Sequence, residues 1–438
     1  MRVFGHYVLG SRVRLFFAEQ AAVGVLFLAA AASRGYGGAL ALVLAASSAL
    51  ALQLALYLVD LYEPFETFPE TRWLLAAGGG VVLATLLRIP GGASPAGVGL
   101  AATGLSLVIL VLLRELALTR PRRAVVLGSG PLARAVAETR EALVDCEVVG
   151  YLADQHVDDG GPTPLPLLLD RGDVDAVSAR MSADLIVVAT EAPLPVEALA
   201  RARAAGVEVT SPAGFTARYA RRVPPELMAN AELVFGEGFR ATALTDAVQR
   251  GLDVVVALLL LGLSAPALLL SMLAIRLDSP GSVFYTQERI GRHGRIYRIT
   301  KLRSMRVDAE VAGQPRWAAK NDDRVTRVGR FLRKTRLDEL PQVFSVLRGD
   351  MSMVGPRPER PYFVHQLKEQ VPFYGLREAV RPGVTGWAQI RYRYGATVED
   401  ARRKLEYDLY YIQHRSIFLN LAIMFHTART VLTGRGAQ

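Results

Sequence analysis

Two adjacent carboxylates, Asp338 and Glu339, lie in an arginine-rich segment and give the strongest chemical signal in the sequence. Pro341 follows them, and proline is tolerated in the first turn of a helix. Asp338 is therefore predicted at the N-terminus of a helix that runs to about Leu347. Backbone N–H groups and the helix dipole at such a position favour a phosphate. A plain helix cap is the alternative role for this acid.

Arginines surround the acid pair. Before it they recur at every third residue, at Arg324, Arg327, Arg330, Arg333 and Arg336. A basic surface that faces a membrane is the alternative role for most of this stripe. Arg333 and Arg357 differ, because they flank the acids within turns ordered by glycine and proline. They are suited to clamp a diphosphate by bidentate contacts.

A carboxylate in these surroundings has two chemical options. It can hold Mg²⁺, which takes oxygen ligands and binds phosphates. It can also attack phosphorus and form an acyl phosphate. Two adjacent acids can divide these roles between them, and the residues alone do not assign the roles.

The rest of the chain indicates where this chemistry takes place. Of 438 residues, 51% are apolar, and the formal net charge is +10. The basic residues lie at the ends of apolar runs, so the charge indicates an anionic membrane surface rather than nucleic acid. Cys146 is the single cysteine, which excludes an intrachain disulfide and is consistent with a cytosolic face.

Four apolar segments approach the length of about 20 residues that a membrane-spanning helix needs. They are Leu15–Ala32, Ala39–Val59, Trp73–Leu87 and Val98–Leu113. Arginines precede the first segment and follow the fourth, and the loops between segments one and two and between three and four contain few basic residues. The positive-inside rule then places both ends of this bundle in the cytoplasm. No cleavable signal peptide is expected.

Strands that alternate with helices follow the bundle and predict a parallel α/β sheet. The predicted strands are Ala124–Leu127, Glu147–Leu152, Leu185–Ala189 and Val207–Thr210. The turn from Gly128 to Ala133 fits the pattern GxGxxA, in which glycines let a phosphate approach a helix N-terminus. Asp154 lies near the position where an acid would hold a ribose. The alternative is a fold that only packs or dimerises.

A further apolar run, Val254–Ile275, is long enough to span a membrane. A fifth span would place the C-terminal region outside the cell, opposite to the α/β domain. Pro266 removes a backbone hydrogen bond and kinks a helix, and Ser264 can satisfy a freed backbone group. A helix that enters the membrane, breaks here and returns is the competing interpretation. The last apolar segment, residues 416–432, is predicted to be an amphipathic surface helix.

Five ordered blocks resemble the bacterial sugar transferases, polyprenyl-phosphate hexose-1-phosphate transferases that initiate exopolysaccharide, capsule or O-antigen synthesis. The blocks are QRGLDVVVALLLLGLSAPALLL, LDSPGSVFYTQERIGRHGRIYRITKLRSM, TRLDELPQVFSVLRGDMSMVGPRP, RPGVTGWAQI and KLEYDLYYI. The resemblance, in its long form, implies a membrane protein with three parts. These are a four-helix transmembrane bundle over 1–120, a Rossmann-like α/β domain over 121–240 and a mostly α catalytic domain over 241–438. The catalytic domain would include a re-entrant membrane helix at about 250–276.

The resemblance also implies an enzyme, an undecaprenyl-phosphate sugar phosphotransferase. A UDP-sugar would give its sugar phosphate to Asp338 and release UMP. Undecaprenyl phosphate would then attack the aspartyl-phosphosugar intermediate. Glu339 matches the residue associated with Mg²⁺, the implied cofactor. The other matching positions are the phosphate-binding Lys301, Arg333, Arg357 and Arg381, and the functional Asp408. The implied location is the bacterial inner membrane, with catalysis on the cytoplasmic face.

Two positions depart from the family pattern, and three rival functions are considered. The helix break reads Ser264-Ala265-Pro266 instead of Ser-Pro, and Arg336 replaces a small polar residue. An NAD-dependent sugar epimerase would use a Tyr-x-x-x-Lys pair, which Tyr297 and Lys301 fit outside the α/β domain. A non-catalytic scaffold and a glycosyltransferase that releases UDP are the other rivals. The transferred sugar, a ligand of the α/β domain and a homodimer stay open.

Overall fold

The computed structural model describes residues 121–128, 130–140, 143, 146–152, 167–168, 181–190, 193–228, 243–307, 309, 322–392, 395 and 397–433, with a few residues among 2–28. Near the N-terminus, strands β1 (Arg2–Val3) and β2 (His6–Tyr7) pair in antiparallel fashion. The four predicted spans lie almost entirely outside the described residues, as do Ser129 and Asp154 of the predicted nucleotide-binding pattern.

A five-stranded parallel sheet follows, in the order β5-β4-β3-β6-β7. Its elements are β3 (Arg122–Leu127), α1 (Pro131–Ala137), β4 (Cys146–Leu152), β5 (Leu167–Leu168), β6 (Leu185–Val188), α2 (Val196–Ala204), β7 (Glu208–Thr210) and α3 (Pro212–Tyr219). The four strands predicted from the sequence are present, each within two residues of its predicted bounds. The predicted parallel α/β sheet is therefore confirmed.

The sheet is covered on both faces because its strands are apolar on both. Ala124 and Val126 of β3 belong to a core that includes residues of α1 and α3. Val125 and Leu127 of the same strand belong to a second core with residues of α2. Burial on both faces explains why these strands read as continuous apolar runs instead of alternating ones.

One long helix, α4 (Ala243–Asp278), connects this sheet to the C-terminal region. It is the one helix among the described residues that is long and apolar enough to cross a membrane. It begins at Ala243, before the apolar run Val254–Ile275 and before the expected helix start at about residue 250. Pro266 lies within the helix, and the Ser264 hydroxyl donates to the Leu260 carbonyl at 2.6 Å. The predicted break at Ser264 and Pro266 is therefore not an interruption of the helix, since a proline removes only one backbone hydrogen bond.

The C-terminal region consists of short strands and mostly helices. Its elements are β8 (Phe284–Ile290), β9 (Ile296–Leu302), α5 (Arg327–Thr335), α6 (Val343–Arg348), β10 (Ser352–Val354), α7 (Pro361–Gln370), β11 (Gly383–Thr385), α8 (Trp387–Arg391), α9 (Val398–Gln413) and α10 (Ile417–Thr433). Strands β8 and β9 form an antiparallel hairpin, and β10 and β11 form a parallel pair. The predicted C-terminal amphipathic helix corresponds to α10, which exposes Phe418, Leu421 and Phe425.

Both ends of α4 are bound to the C-terminal region. Near its start, Asp246 accepts hydrogen bonds from Arg292 and Arg415. At its end, the Asp278 carboxylate accepts from the Val328 backbone N–H at 3.3 Å. Between Ala257 and Leu268 no residue of the helix is fully buried. The middle of α4 is therefore its most exposed part, although both halves pack on the same domain.

Candidate active site

The acid pair lies on a 3₁₀ turn, Leu337–Gln342, between α5 and α6. Arg336 ends α5 in the left-handed conformation (φ 59°), which turns the chain sharply before the acids. The α-helix that follows begins at Val343 and has Gln342 as its N-cap. Asp338 therefore lies in the first turn of a helical segment that runs without a gap from Leu337 to Arg348, as expected, but this first turn is 3₁₀ and the α-helical part begins only at Val343.

Helix α5 and strand β9 pack closely and bring their charged residues to this turn. Gly329 of α5 lies so near Ser304 that a Cβ at this position would be 2.0 Å from the Ser304 carbonyl oxygen. Lys301 lies just before this contact on β9, and Arg333 lies in the last turn of α5. The close approach of the two backbones therefore carries both cations toward the acids.

Glu339 is the centre of the ion pairs. Its Oε1 atom accepts from Lys301 Nζ and from Arg357 Nη2, each at 2.8 Å. Burial opposes the charge of Glu339, but Arg357 and Lys301 outweigh it and hold the pKa of Glu339 well below its usual range. Burial also lowers the pKa of Lys301, an effect that Glu339 opposes. The three side chains form a compact charged group around one carboxylate oxygen.

Asp338 is in a different electrostatic state. Its residue is 8% exposed, and its Oδ1 atom is buried with no hydrogen-bond partner among the residues that the structure describes. Burial, together with the charge of Glu339, raises the pKa of Asp338 to about 6, although Lys301, Arg333 and Arg336 oppose this shift. A buried carboxylate oxygen is normally hydrogen-bonded, so this atom is available for a ligand or a reaction.

Arg377, which the sequence analysis did not single out, ties three elements together near the acids. Its guanidinium donates to Asp408 Oδ2 at 2.8 Å, to the Tyr374 hydroxyl at 2.7 Å and to the Arg357 carbonyl at 2.9 Å. Asp408 therefore meets the site through Arg377 and not through the acid pair. No sequence signal could identify this arginine, because one of its partners is a backbone carbonyl.

The remaining predicted residues occupy different places. Arg381 donates to the Gly349 carbonyl at 3.1 Å, beyond the end of α6 that is remote from the acids. Arg324 pairs with Asp322, and Arg327 and Arg330 are exposed on α5. Ser264 and Pro266 lie in the exposed middle of α4. The structure thus brings Lys301, Arg333 and Arg357 near the acid pair.

The acid pair can be compared with the ligands that usually hold Mg²⁺, the cofactor that the resemblance implies. Among the described residues, no group of three or more His, Cys, Asp and Glu side chains could hold a metal ion. Mg²⁺ is commonly held by one or two carboxylates, with substrate phosphates and waters as the other ligands. Glu339, which the resemblance associates with Mg²⁺, and the adjacent carboxylate of Asp338 fit that minimal donor set.

The geometry does not support an epimerase that uses Tyr297 and Lys301. Both residues lie on strand β9, where four positions correspond to about 13 Å. The Lys301 ammonium is bound to Glu339, and burial raises the pKa of Tyr297 above its ordinary value. The Tyr-x-x-x-Lys spacing is therefore a coincidence of sequence.

Comparison with known proteins places the C-terminal region in one family. The family described as bacterial sugar transferase matches residues 244–434. One relative comes from Aeromonas hydrophila and is named UDP-N-acetylgalactosamine-undecaprenyl-phosphate N-acetylgalactosaminephosphotransferase. It is 47% identical over 44% of this chain and 45% of its own length. The UDP-glucose:undecaprenyl-phosphate glucose-1-phosphate transferase of Caulobacter vibrioides is 46% identical over 43% of this chain and 71% of its own.

A third relative matches over nearly its full length. The exopolysaccharide production protein PSS of Rhizobium leguminosarum is 41% identical over 43% of this chain and 98% of its own length. The matched part of the present chain spans less than half of the Aeromonas relative, but it covers most of the other two. The chain belongs to the bacterial sugar transferase family.

Proposed function

We propose that this member of the bacterial sugar transferase family transfers a sugar 1-phosphate from a UDP-sugar to undecaprenyl phosphate and releases UMP. The observation that carries the proposal is the buried, unpartnered Oδ1 of Asp338 beside a carboxylate held by two cations. The relatives named above support the two substrates. Relatives of almost equal identity are named for different sugars, so the donor sugar stays open.

In the first step, Asp338 Oδ1 attacks the phosphorus that carries the sugar. A P–O bond forms to Asp338, the P–O bond to UMP breaks, and UMP leaves with that bond's electron pair. Exclusion of water from Asp338 leaves its carboxylate poorly solvated and therefore reactive once it is ionised. Lys301, Arg333 and Arg357 offset the negative charge that builds on the diphosphate.

In the second step, an oxygen of undecaprenyl phosphate attacks the same phosphorus and breaks its bond to Asp338. The C1–O bond of the sugar stays intact in both steps, so the anomeric configuration is retained. Glu339, with Asp338, is the group that would hold Mg²⁺, which neutralises developing charge on phosphate oxygens when bound. Lys301 and Arg357 keep Glu339 ionised for this role.

The first test replaces Asp338 by asparagine in the full chain, assayed with a panel of UDP-sugars, undecaprenyl phosphate and Mg²⁺. Asp338→Asn should abolish UMP release, since an amide oxygen cannot form the acyl phosphate. Asp350→Asn is the matched control, because Asp350 is a partly exposed acid, with a side chain that is 37% exposed, and it pairs with Arg348. Full activity in Asp338→Asn, or absence of a phosphosugar adduct when wild type meets donor alone, contradicts the mechanism.

We also propose that α4 enters the inner membrane from the cytoplasmic side, bends at Pro266 without ceasing to be helical, and returns to the same side. The helix is about 54 Å long, far more than the 30 Å hydrocarbon layer, yet both of its ends bind one domain. Leu263 is 83% exposed in its middle, where lipid would cover it.

The test is single-cysteine labelling at two exposed positions on either side of the apolar part of α4, Leu244→Cys and Val307→Cys. Both positions should react with a membrane-impermeant maleimide from the cytoplasmic side only. Cys146 is buried and should remain unlabelled in the folded wild type, which serves as the control. Labelling of Val307→Cys from the periplasmic side would show that α4 crosses the membrane.

A further inference from the structure

Arg377 is a buried cation near the acid pair that donates three hydrogen bonds. Its side chain is 11% exposed, and that of its partner Asp408 is 2% exposed. Burial of a charged pair costs free energy, and an apolar pair of similar shape often gives equal stability. A buried arginine that links its own 3₁₀ helix, Tyr374–Ala379, to Asp408 of α9 and to the Arg357 backbone is therefore suited to fix geometry.

The contacts of Arg377 lead directly to the acid pair. Asp408 on α9 holds the Arg377 guanidinium, which donates to the backbone carbonyl of Arg357. The Arg357 side chain in turn donates to Glu339 Oε1. Each link is between 2.8 and 2.9 Å, so a displacement of Arg377 moves the backbone from which the Arg357 guanidinium extends.

We propose that Arg377 and Asp408 are positioning residues that hold Arg357 in place to bind the diphosphate of the donor. The inference rests on the proposed function and adds a residue to it. Arg377 acts on the acid pair through Arg357, which lies between them. Tyr374 supports the same guanidinium through its hydroxyl, at 2.7 Å.

A matched comparison lies on the opposite side of the same helix. Glu406 of α9 is two positions before Asp408 and therefore faces away from it. It forms a buried ion pair with Arg222 at 2.9 Å, where the segment after α3 packs on α9. Both pairs are buried arginine–carboxylate pairs on α9, but the Arg222–Glu406 pair has no contact with Arg357. A purely structural role predicts the same result for both.

The experiment compares Arg377→Lys with Arg222→Lys in the full chain, reconstituted in lipid nanodiscs. Lysine keeps the charge but cannot bind three partners in a fixed plane. Arg377→Lys should lower kcat/KM for the UDP-sugar about 10- to 100-fold. Arg222→Lys should stay within about twofold, as expected for a distant site. The melting temperature should fall by a similar amount in the two variants.

Binding of UDP with Mg²⁺, measured by calorimetry, tests the path through Arg357 without turnover. Arg357→Ala should weaken UDP binding about tenfold, the effect of one charge-assisted contact. Adding Arg377→Lys to Arg357→Ala should change the affinity by less than about twofold, since the residue to be positioned is gone. Independent, multiplying losses would overturn the inference, and so would equal activity of Arg377→Lys and Arg222→Lys.

Tyr374→Phe keeps the test valid if Arg377→Lys does not fold. It removes one hydroxyl from the same guanidinium and should lower kcat/KM several-fold while the melting temperature stays close to wild type. An unchanged kcat/KM in this variant would overturn the inference. Wild type that releases no UMP would instead refute the proposed function and the inference with it, whereas active wild type with unaffected variants refutes the inference alone.

Discussion

Two glycine-containing turns of this chain bring backbones equally close together but differ in the charged groups beside them. In the α/β sheet, Gly128 (φ 125°) lies where a Cβ would be 2.2 Å from the Ala189 carbonyl oxygen. In the C-terminal region, which contains the candidate active site and is called the catalytic region below, a Cβ on Gly355 would be 2.3 Å from the Arg381 carbonyl oxygen. Each glycine allows close packing of backbones. Two residues after Gly355, however, Arg357 reaches a buried carboxylate.

The difference between the two regions is therefore buried charge, not glycine. Among the described residues of 121–220, the fully buried polar side chains are Thr139 and Thr216. The catalytic region instead buries Asp338 and Asp408 and pairs Glu339 with two cations. A glycine pattern taken alone thus reports packing, whereas phosphate chemistry needs ionised groups held at low solvent exposure.

The largest effect that would test this comparison is expected for Glu339→Gln. Glutamine cannot balance Lys301 and Arg357, so both cations lose the carboxylate that holds them in place. UMP release should fall about 100- to 1,000-fold, as when one preorganised electrostatic group is removed. Glu399→Gln, at a side chain that is 58% exposed and pairs with Arg402 and Arg403, should stay near wild-type activity. Loss of less than about tenfold in Glu339→Gln would show that buried charge is not what distinguishes the region.

The sequence predicts those elements and site residues that local patterns specify. Strands β3, β4 and β6 were predicted because each is a local apolar run, and local patterns specify such elements. The acid pair was predicted because its residues are adjacent in the chain. Arg377 was not, since Asp408 is 31 positions away and Arg357 is contacted at its backbone.

Where long-range contacts decide the boundary of an element, the prediction from the sequence was wrong. Helix α4 begins at Ala243, before the expected start at about residue 250, because Asp246 is held by Arg292 and Arg415 from distant parts of the chain. Arg381, expected at a phosphate by resemblance, donates to the Gly349 carbonyl, a partner that is invisible in a side-chain pattern.

The next effect concerns stability and should be specific to the catalytic region. The raised pKa of Asp338, about 6, means that the folded protein binds its proton more tightly than the unfolded chain. The stability contributed by the protonated form is complete below about pH 4 and is lost as pH rises through about 6. At pH 7.5, ionised Asp338 therefore destabilises the fold by roughly 2–3 kcal/mol.

Asp338→Asn removes this penalty. Its unfolding free energy in EDTA should exceed that of wild type at pH 7.5, and the difference should shrink toward zero below about pH 4. Chemical unfolding of the full chain in detergent at several pH values measures the effect, and Asp350→Asn provides a control at a partly exposed acid. A difference that does not depend on pH would mean that Asp338 is not the titrating group, and the contrast between the two regions would weaken.

The smallest effects are expected in the α/β sheet. Gly128→Ala should destabilise this region by about 2 kcal/mol, because the new methyl group meets the Ala189 carbonyl and the backbone has positive φ. Gly130→Ala should change stability by less than about 0.5 kcal/mol, since nothing lies within 4 Å of the new Cβ and φ is −76°. Amide hydrogen exchange of β3 and β6 distinguishes the two variants. If the turn serves packing alone, Gly130→Ala should also leave UMP release and any NAD titration unchanged. A clear change in nucleotide binding would show that the two glycine turns share a chemistry after all.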